Sequence, residues 1–140
     1  MHNGEGDRSN DQIHISQKQD VIILEGWMLG FVPQENISNP HLIEINTYLK
    51  EYESWLGNLD LFLYLRPEKV EYTIDWRIEA EANRRARGIS AMTPDEVNLY
   101  IQDFIPAYKL YGHSISSRKN EFKDYKEYLI DKSRKPSSVV

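Results

Sequence analysis

The 140-residue sequence contains no cysteine, which removes disulfides, thiolate zinc sites and cysteine nucleophiles together. It has no apolar run near the roughly 18 residues that a membrane-crossing helix needs, and its start, MHNGEGDRSNDQ, carries no signal-peptide core. These absences predict an intracellular protein, in the cytoplasm or in an organelle matrix such as that of a plastid. Positive charge is also in short supply: the formal net charge is -5, the opposite of the basic surplus of a general nucleic-acid binder. The histidines His2, His14, His41 and His113 share no metal-ligand spacing, so no zinc centre is expected. Neither nucleic acid nor a membrane is an expected partner.

What is present is ordinary globular material, 40% hydrophobic and 28% charged, long enough for one domain or part of one. Residues 1–19 are polar and without periodicity and read as a loop. The continuous apolar run Val21-Ile22-Ile23-Leu24 reads as a strand buried on both faces of a parallel sheet. Asn39 and Pro40 then supply an N-cap and a first-turn proline, and Leu42, Ile45, Leu49, Tyr52 and Trp55/Leu56 follow at helical spacing up to Gly57. Leu59 to Leu65, closed by Arg66-Pro67, reads as a second buried strand. Strand, crossover helix and strand predict a right-handed parallel βαβ unit.

A long charged helix is predicted over 68–87, ended by Gly88. Thr93-Pro94-Asp95-Glu96 is a capping box opening a helix whose apolar face is Val97, Tyr100/Ile101, Phe104/Ile105 and Tyr108, with Pro106 set to kink or interrupt it. A polar stretch from Ser114 to Asp124 follows, then Tyr128-Leu129-Ile130 as a last strand before a basic tail. The apolar faces holding Tyr48, Trp55, Phe104 and Tyr108 are expected in the core.

Four places could carry chemistry, the first being Gly6-Asp7-Arg8, which offers an acid and a base beside flexible glycines or is simply a disordered end. Glu25 follows a buried strand, where the ligand crevice of an open α/β sheet lies, and a carboxylate there holds magnesium directly or through water; the alternative is a solvated glutamate. Arg77, Arg84, Arg85 and Arg87 form a basic cluster, with Arg77 and Arg84 two turns apart on one helix face and Glu81 between them. Guanidinium groups bind phosphate bidentately and such a helix can close over a nucleotide; equally, this is a solvated helix laced with Glu-Arg pairs. The apolar loop Trp27-Met28-Leu29-Gly30-Phe31 either walls a small-substrate pocket or tucks into the core.

EGDR near the start, DVIILEGWMLGFVP, DWRIEAE with the downstream RG, MTPDEVNLYIQDFIPAYKLY and YLIDKSRKP, in this order and at about these spacings, resemble the D-glycerate 3-kinases. These are P-loop kinases related to uridine kinase, pantothenate kinase and phosphoribulokinase. The resemblance covers essentially the whole chain and implies an α/β fold, a parallel sheet flanked by helices. It implies ATP- and Mg2+-dependent transfer of a phosphoryl group to a hydroxyl of a small sugar acid, glycerate or a similar hydroxy acid. On this resemblance Glu25 matches the Walker-B-like acid and magnesium holder, and Arg77 matches the lid region and is expected, with Glu25, to be catalytic. Arg84, Arg85 and Arg87 match the nucleotide lid, Asp7 and Arg8 lie near the acceptor site with Arg8 as the cation for its carboxylate, and Trp27 joins them in substrate binding.

One departure from the family is large. The G-x-x-x-x-G-K-[ST] loop is absent, since none of the seven glycines is followed by lysine. The expected object is therefore an incomplete P-loop kinase fold lacking its N-terminal phosphate-loop strand, the C-terminal part of one domain. Its parts are the loop 1–19, the Walker-B strand, crossover helix and next strand over 20–66, the lid helix region over 67–92, and the C-terminal helix and last strand over 93–140. Such a chain is expected to be inactive alone and to need a complementing N-terminal segment. The alternative is a catalytically dead interaction or regulatory module derived from the fold.

Overall fold

A computed structural model describes residues 13–139. Helix α1 spans Pro40–Leu56, strand β1 Phe62–Pro67, α2 Tyr72–Ala86, α3 Pro94–Gln102, α4 Ile105–Ser117, β2 Tyr125–Ile130 and β3 Pro136–Val139. The sheet order is β1-β2-β3. Strands β1 and β2 are parallel, in register from Phe62 against Tyr125 to Pro67 against Ile130, whereas β2 and β3 are antiparallel. The sheet is thus mixed rather than wholly parallel, and its one parallel connection runs through α2, α3 and α4.

Local chemistry sets most boundaries. The Asn39 side chain accepts the His41 N–H at 3.0 Å to open α1. Thr93 and Glu96 cap α3 reciprocally, Glu96 N–H donating to Thr93 Oγ1 at 3.3 Å and Thr93 N–H to Glu96 Oε2 at 2.7 Å. After α2, Gly88 adopts φ 72° and its N–H reaches the Arg85 carbonyl at 2.9 Å, a left-handed helix end that glycine accepts without strain. Pro106 sits in the first turn of α4, where its missing N–H costs nothing, so the helical stretch divides between α3 and α4 around Asp103 and Phe104.

The core gathers Leu42 and Leu49 of α1, Phe62 of β1, Ala107, Tyr111 and Ile115 of α4, and Phe31 from the loop before α1. Tyr111 is fully buried, and its hydroxyl donates to Asn46 Oδ1 at 3.2 Å. Asn46 in turn accepts the Gln34 N–H and donates to the Gln34 carbonyl, which ties loop, α1 and α4 into one unit. At Gly30, φ is 91° and an added Cβ would lie 2.6 Å from Phe62 Cζ, so the loop passes closer to β1 than any side chain permits.

Several expectations need correction. Val21, Ile22, Ile23 and Leu24 form no strand and are exposed, so the βαβ unit proposed from them does not exist among the described residues. A strand is made by its partner: a continuously apolar run needs a neighbour for its N–H and C=O groups and layers on both faces. Among the described residues strand β1 pairs only with β2, and it too is covered on one face, with Phe62 buried while Leu61, Leu63 and Leu65 are more than half exposed. Its pairing runs over Phe62–Pro67 rather than from Leu59. Tyr48 and Trp55, expected in the core, lie on the exposed side of α1, because that helix buries only the stripe through Leu42 and Leu49. The supposed polar stretch from Ser114 begins inside α4, where the buried Ser114 hydroxyl donates back to the Tyr111 carbonyl at 2.7 Å. Strand β2 starts at Tyr125, not Tyr128, and the basic tail contributes β3.

Candidate functional site

The backbone turns at residues 27–30, where Leu29 N–H bonds the Gly26 carbonyl at 3.1 Å and Phe31 N–H the Met28 carbonyl at 2.9 Å. The turn leaves Glu25 exposed, with no ion-pair partner among the described residues, and carries Phe31 and Val32 into the core with Met28 and Leu29 packed against it. Trp27 behaves differently. It stays 46% exposed and sits edge-on against Phe31, Phe104 and Tyr108 at centroid distances of 5.9, 5.3 and 5.5 Å. Of the two readings of this loop, the core accounts for all but Trp27.

From Trp27 an aromatic path crosses to the arginine helix. Phe104 meets Tyr100 at 4.9 Å, and the Arg77 guanidinium lies 5.7 Å from the centre of the Tyr100 ring. Arg77 also forms an ion pair with Glu81 one turn on, at 2.6 Å. Glu81 is 97% shielded and is the hub of this region: besides Arg77 it accepts the Met92 N–H at 3.1 Å and faces Arg84 at 3.6 Å. Burial pushes its carboxyl upward, but the Met92 N–H and the Arg77 and Arg84 guanidiniums outweigh burial and hold it below the usual carboxylate value.

The remaining arginines close the loop between α2 and α3. Arg84 donates to the Ser90 carbonyl at 3.0 Å, Arg85 to the Met92 carbonyl at 2.7 Å, and Arg87 to the Asn83 carbonyl at 3.3 Å. Each satisfies a carbonyl that the end of a helix or a loop would otherwise leave to water. The structure therefore brings Trp27 into contact with the aromatic side chains that reach Arg77. It groups Arg84 and Arg85 with Arg77 around Glu81 and the loop it fixes, and leaves Arg87 on its own turn. Asp7 and Arg8 lie outside the described residues.

Sequence reasoning placed Glu81 between two arginines but missed that it anchors a backbone N–H; the capping box beginning at Thr93, directly after Met92, was the available signal. It also missed Arg66 and Glu127. Glu127 is only 1% exposed on β2, and its carboxylate accepts from Arg66 Nε at 2.5 Å and from the Tyr125 hydroxyl at 2.6 Å. A charged residue within the inward-facing alternation of each of two apolar strands was the signal for this pair. Among the described residues no three His, Cys, Asp or Glu side chains are gathered for a metal, and no helix is long and apolar enough to cross a membrane.

No protein-family model matches this sequence. A chloroplastic D-glycerate 3-kinase of Arabidopsis thaliana is 30% identical over 145 aligned residues, covering 96% of this chain and 32% of that protein. A Saccharomyces cerevisiae protein named "Probable ATP-dependent kinase TDA10" is 30% identical over 118 residues, 77% of this chain and 41% of that one. The solved structure of a D-glycerate 3-kinase from Cryptococcus neoformans superposes with a TM-score of 0.88 at 26% identity, covering 100% of this chain and 56% of that chain. The chain spans about a third to two fifths of the length of these curated relatives. The homologues of this chain are D-glycerate 3-kinase and related kinases, and the likeness runs through the whole of it.

Proposed function

We propose that the chain is the C-terminal part of an ATP-dependent phosphotransferase of the D-glycerate 3-kinase type, acting on a hydroxyl of a small sugar acid in the cytoplasm or an organelle matrix. The observation that carries this reading is the aromatic path from Trp27 to Arg77, which couples the loop bearing Glu25 to the arginine helix. Phosphoryl transfer asks mainly for positioning and for neutralised charge, and a carboxylate on one loop with guanidiniums on a neighbouring helix are the parts that supply them. Glu25, exposed and free of ion pairs among the described residues, suits a magnesium ion, which takes one or two carboxylates and completes its shell with water and nucleotide phosphates. Magnesium bound there would neutralise phosphate charge. Trp27, with Asp7 and Arg8, is assigned to the acceptor.

The phosphate loop is to come from a complementing N-terminal segment. The one-sided cover of β1 supports this, because an added strand and helix would occupy its open edge and the Leu63 and Leu65 face. A second reading, a catalytically dead interaction module, is favoured by the arginines themselves: Arg84, Arg85 and Arg87 already bond carbonyls and Arg77 already pairs with Glu81. Turnover of the complemented protein separates the two. Arg77→Ala is expected to reduce turnover well beyond Arg134→Ala, a surface arginine paired with Glu79 at 2.7 Å. Absence of turnover in the complemented protein favours the second reading, and equal turnover in the two variants returns the arginines to a solvated, structural helix.

A further inference from the structure

A cleft of about 440 Å³ lies between the C-terminal half of β1 and α4, lined among others by Tyr64 and Arg66 of the strand and Tyr108, Gly112, His113 and Ser116 of the helix. It is built wholly from elements of this chain, whichever reaction the chain serves. On α4 the lining residues recur at spacings of four, one and three, which is one helix face. That face carries glycine at its centre: a Cβ on Gly112 would come to 3.2 Å from the Tyr64 hydroxyl, a tight contact that the tyrosine would have to relieve by a small shift.

The floor of the cleft holds one buried charge and one accessible charge. Glu127, aligned with Tyr64 across the sheet, is spent twice, on Arg66 Nε and on the Tyr125 hydroxyl. Arg66 is spent once. Its Nε is fixed by Glu127, while its side chain keeps 37% of its surface open, and among the described residues its terminal nitrogens have no partner. A guanidinium pinned through Nε presents its two outer N–H groups in a fixed plane, which is the geometry that receives two oxygens of one anion. The Ser116 hydroxyl is buried beside Tyr125 and Glu127 without completing a hydrogen bond of ordinary geometry, and burial pushes Tyr64 up to about 12, so its hydroxyl keeps its proton.

We infer that this cleft is an oxyanion-binding site for a phosphate monoester or a carboxylate, with Arg66 as the charged fork, Glu127 as the residue that positions it, and the His113 and Ser116 side chains as the wall. Because Glu127 already balances much of the Arg66 charge, the site suits weak, exchangeable binding. The test is a titration of the chain at low ionic strength, following the backbone amides of Gly112 and His113 by NMR, with inorganic phosphate in one arm and sodium acetate in the other. Saturable shifts confined to this cleft are expected, and the tighter anion identifies the source. Arg66→Gln should weaken binding by about tenfold or more. That variant strands the Glu127 charge and can fail to fold, so His113→Glu serves as the second: it changes an exposed residue and places a repelling charge at the wall. Unsaturable shifts with both anions, or affinity unchanged by His113→Glu, overturn the inference.

Discussion

Glu81 of α2 accepts the backbone N–H of Met92 at 3.1 Å, so a side chain near the end of one helix fixes the residue that precedes the N-cap of the next. The Arg84 and Arg85 bonds to Ser90 and Met92 close the same loop from the other side. Glu81→Gln keeps the shape but gives up the charge that balances Arg77 and Arg84. The Met92 amide should then exchange its hydrogen about tenfold faster or more, with little change at the Tyr111 amide in the core. Equal protection at Met92 in both proteins would show that the loop is held by the arginines alone.

Acid should unfold the chain through its paired carboxylates. Glu96 is held below its ordinary value of 4.5 by the Thr93 N–H, and Glu121 by the Arg118 guanidinium. For Glu127 burial works upward, but the Tyr125 hydroxyl and Arg66 outweigh it; Glu81 is lowered likewise. A carboxyl with a depressed folded pKa binds fewer protons folded than unfolded, so its contribution is present above the unfolded value and is lost as pH falls through the folded one. Urea midpoints should be level from about pH 7 to pH 5.5 and drop progressively below about 4.5. A midpoint that rises toward acid contradicts these assignments.

Two glycines with positive φ separate strain from crowding. Gly88 has φ 72° and open space around its Cβ position, so Gly88→Ala should cost about 1 kcal/mol. Gly30 has φ 91° and would set a Cβ 2.6 Å from the Phe62 ring, so Gly30→Ala should cost about 2–3 kcal/mol. Chemical denaturation of both variants measures the difference, and equal costs would mean that the Phe62 ring yields freely.

The open sheet face gives a conditional outcome. Leu63 is half exposed in this chain, so Leu63→Lys should shift stability of the chain alone by no more than about 0.5 kcal/mol. The same change should block association with an N-terminal segment that covers this face. Unimpaired association of Leu63→Lys would place the partner elsewhere.

What the sequence made legible was local. The caps at Asn39 and Thr93 and the helix end at Gly88 depend on neighbours within a few residues, and the structure shows each of them. What depends on a distant partner was misread. The run at residues 21–24 has the composition of a buried strand but no strand beside it among the described residues, and β3, with Pro136 first and Ser137 and Ser138 after it, has almost no apolar signal. Its turn was nonetheless written locally, in Asp131 capping Lys135 N–H at 2.9 Å and Arg134 at φ 62°. In the candidate site the arginine spacing was readable. That most of those guanidiniums would bond carbonyls was not, because the acceptors are backbone atoms of a loop whose path the side chains themselves fix.

On the proposed function, this chain supplies the acid and the arginine helix of a phosphotransferase whose phosphate loop comes from another segment. The most direct test is ADP release from Mg-ATP and D-glycerate, measured for the purified chain, for a separately purified segment carrying a G-x-x-x-x-G-K-[ST] loop from a homologous kinase, and for the two together. No release is expected from either alone, and glycerate-dependent release is expected from the mixture, reduced by Glu25→Gln in the chain. Release by the chain alone, or a stable complex of the two that remains silent, would contradict it.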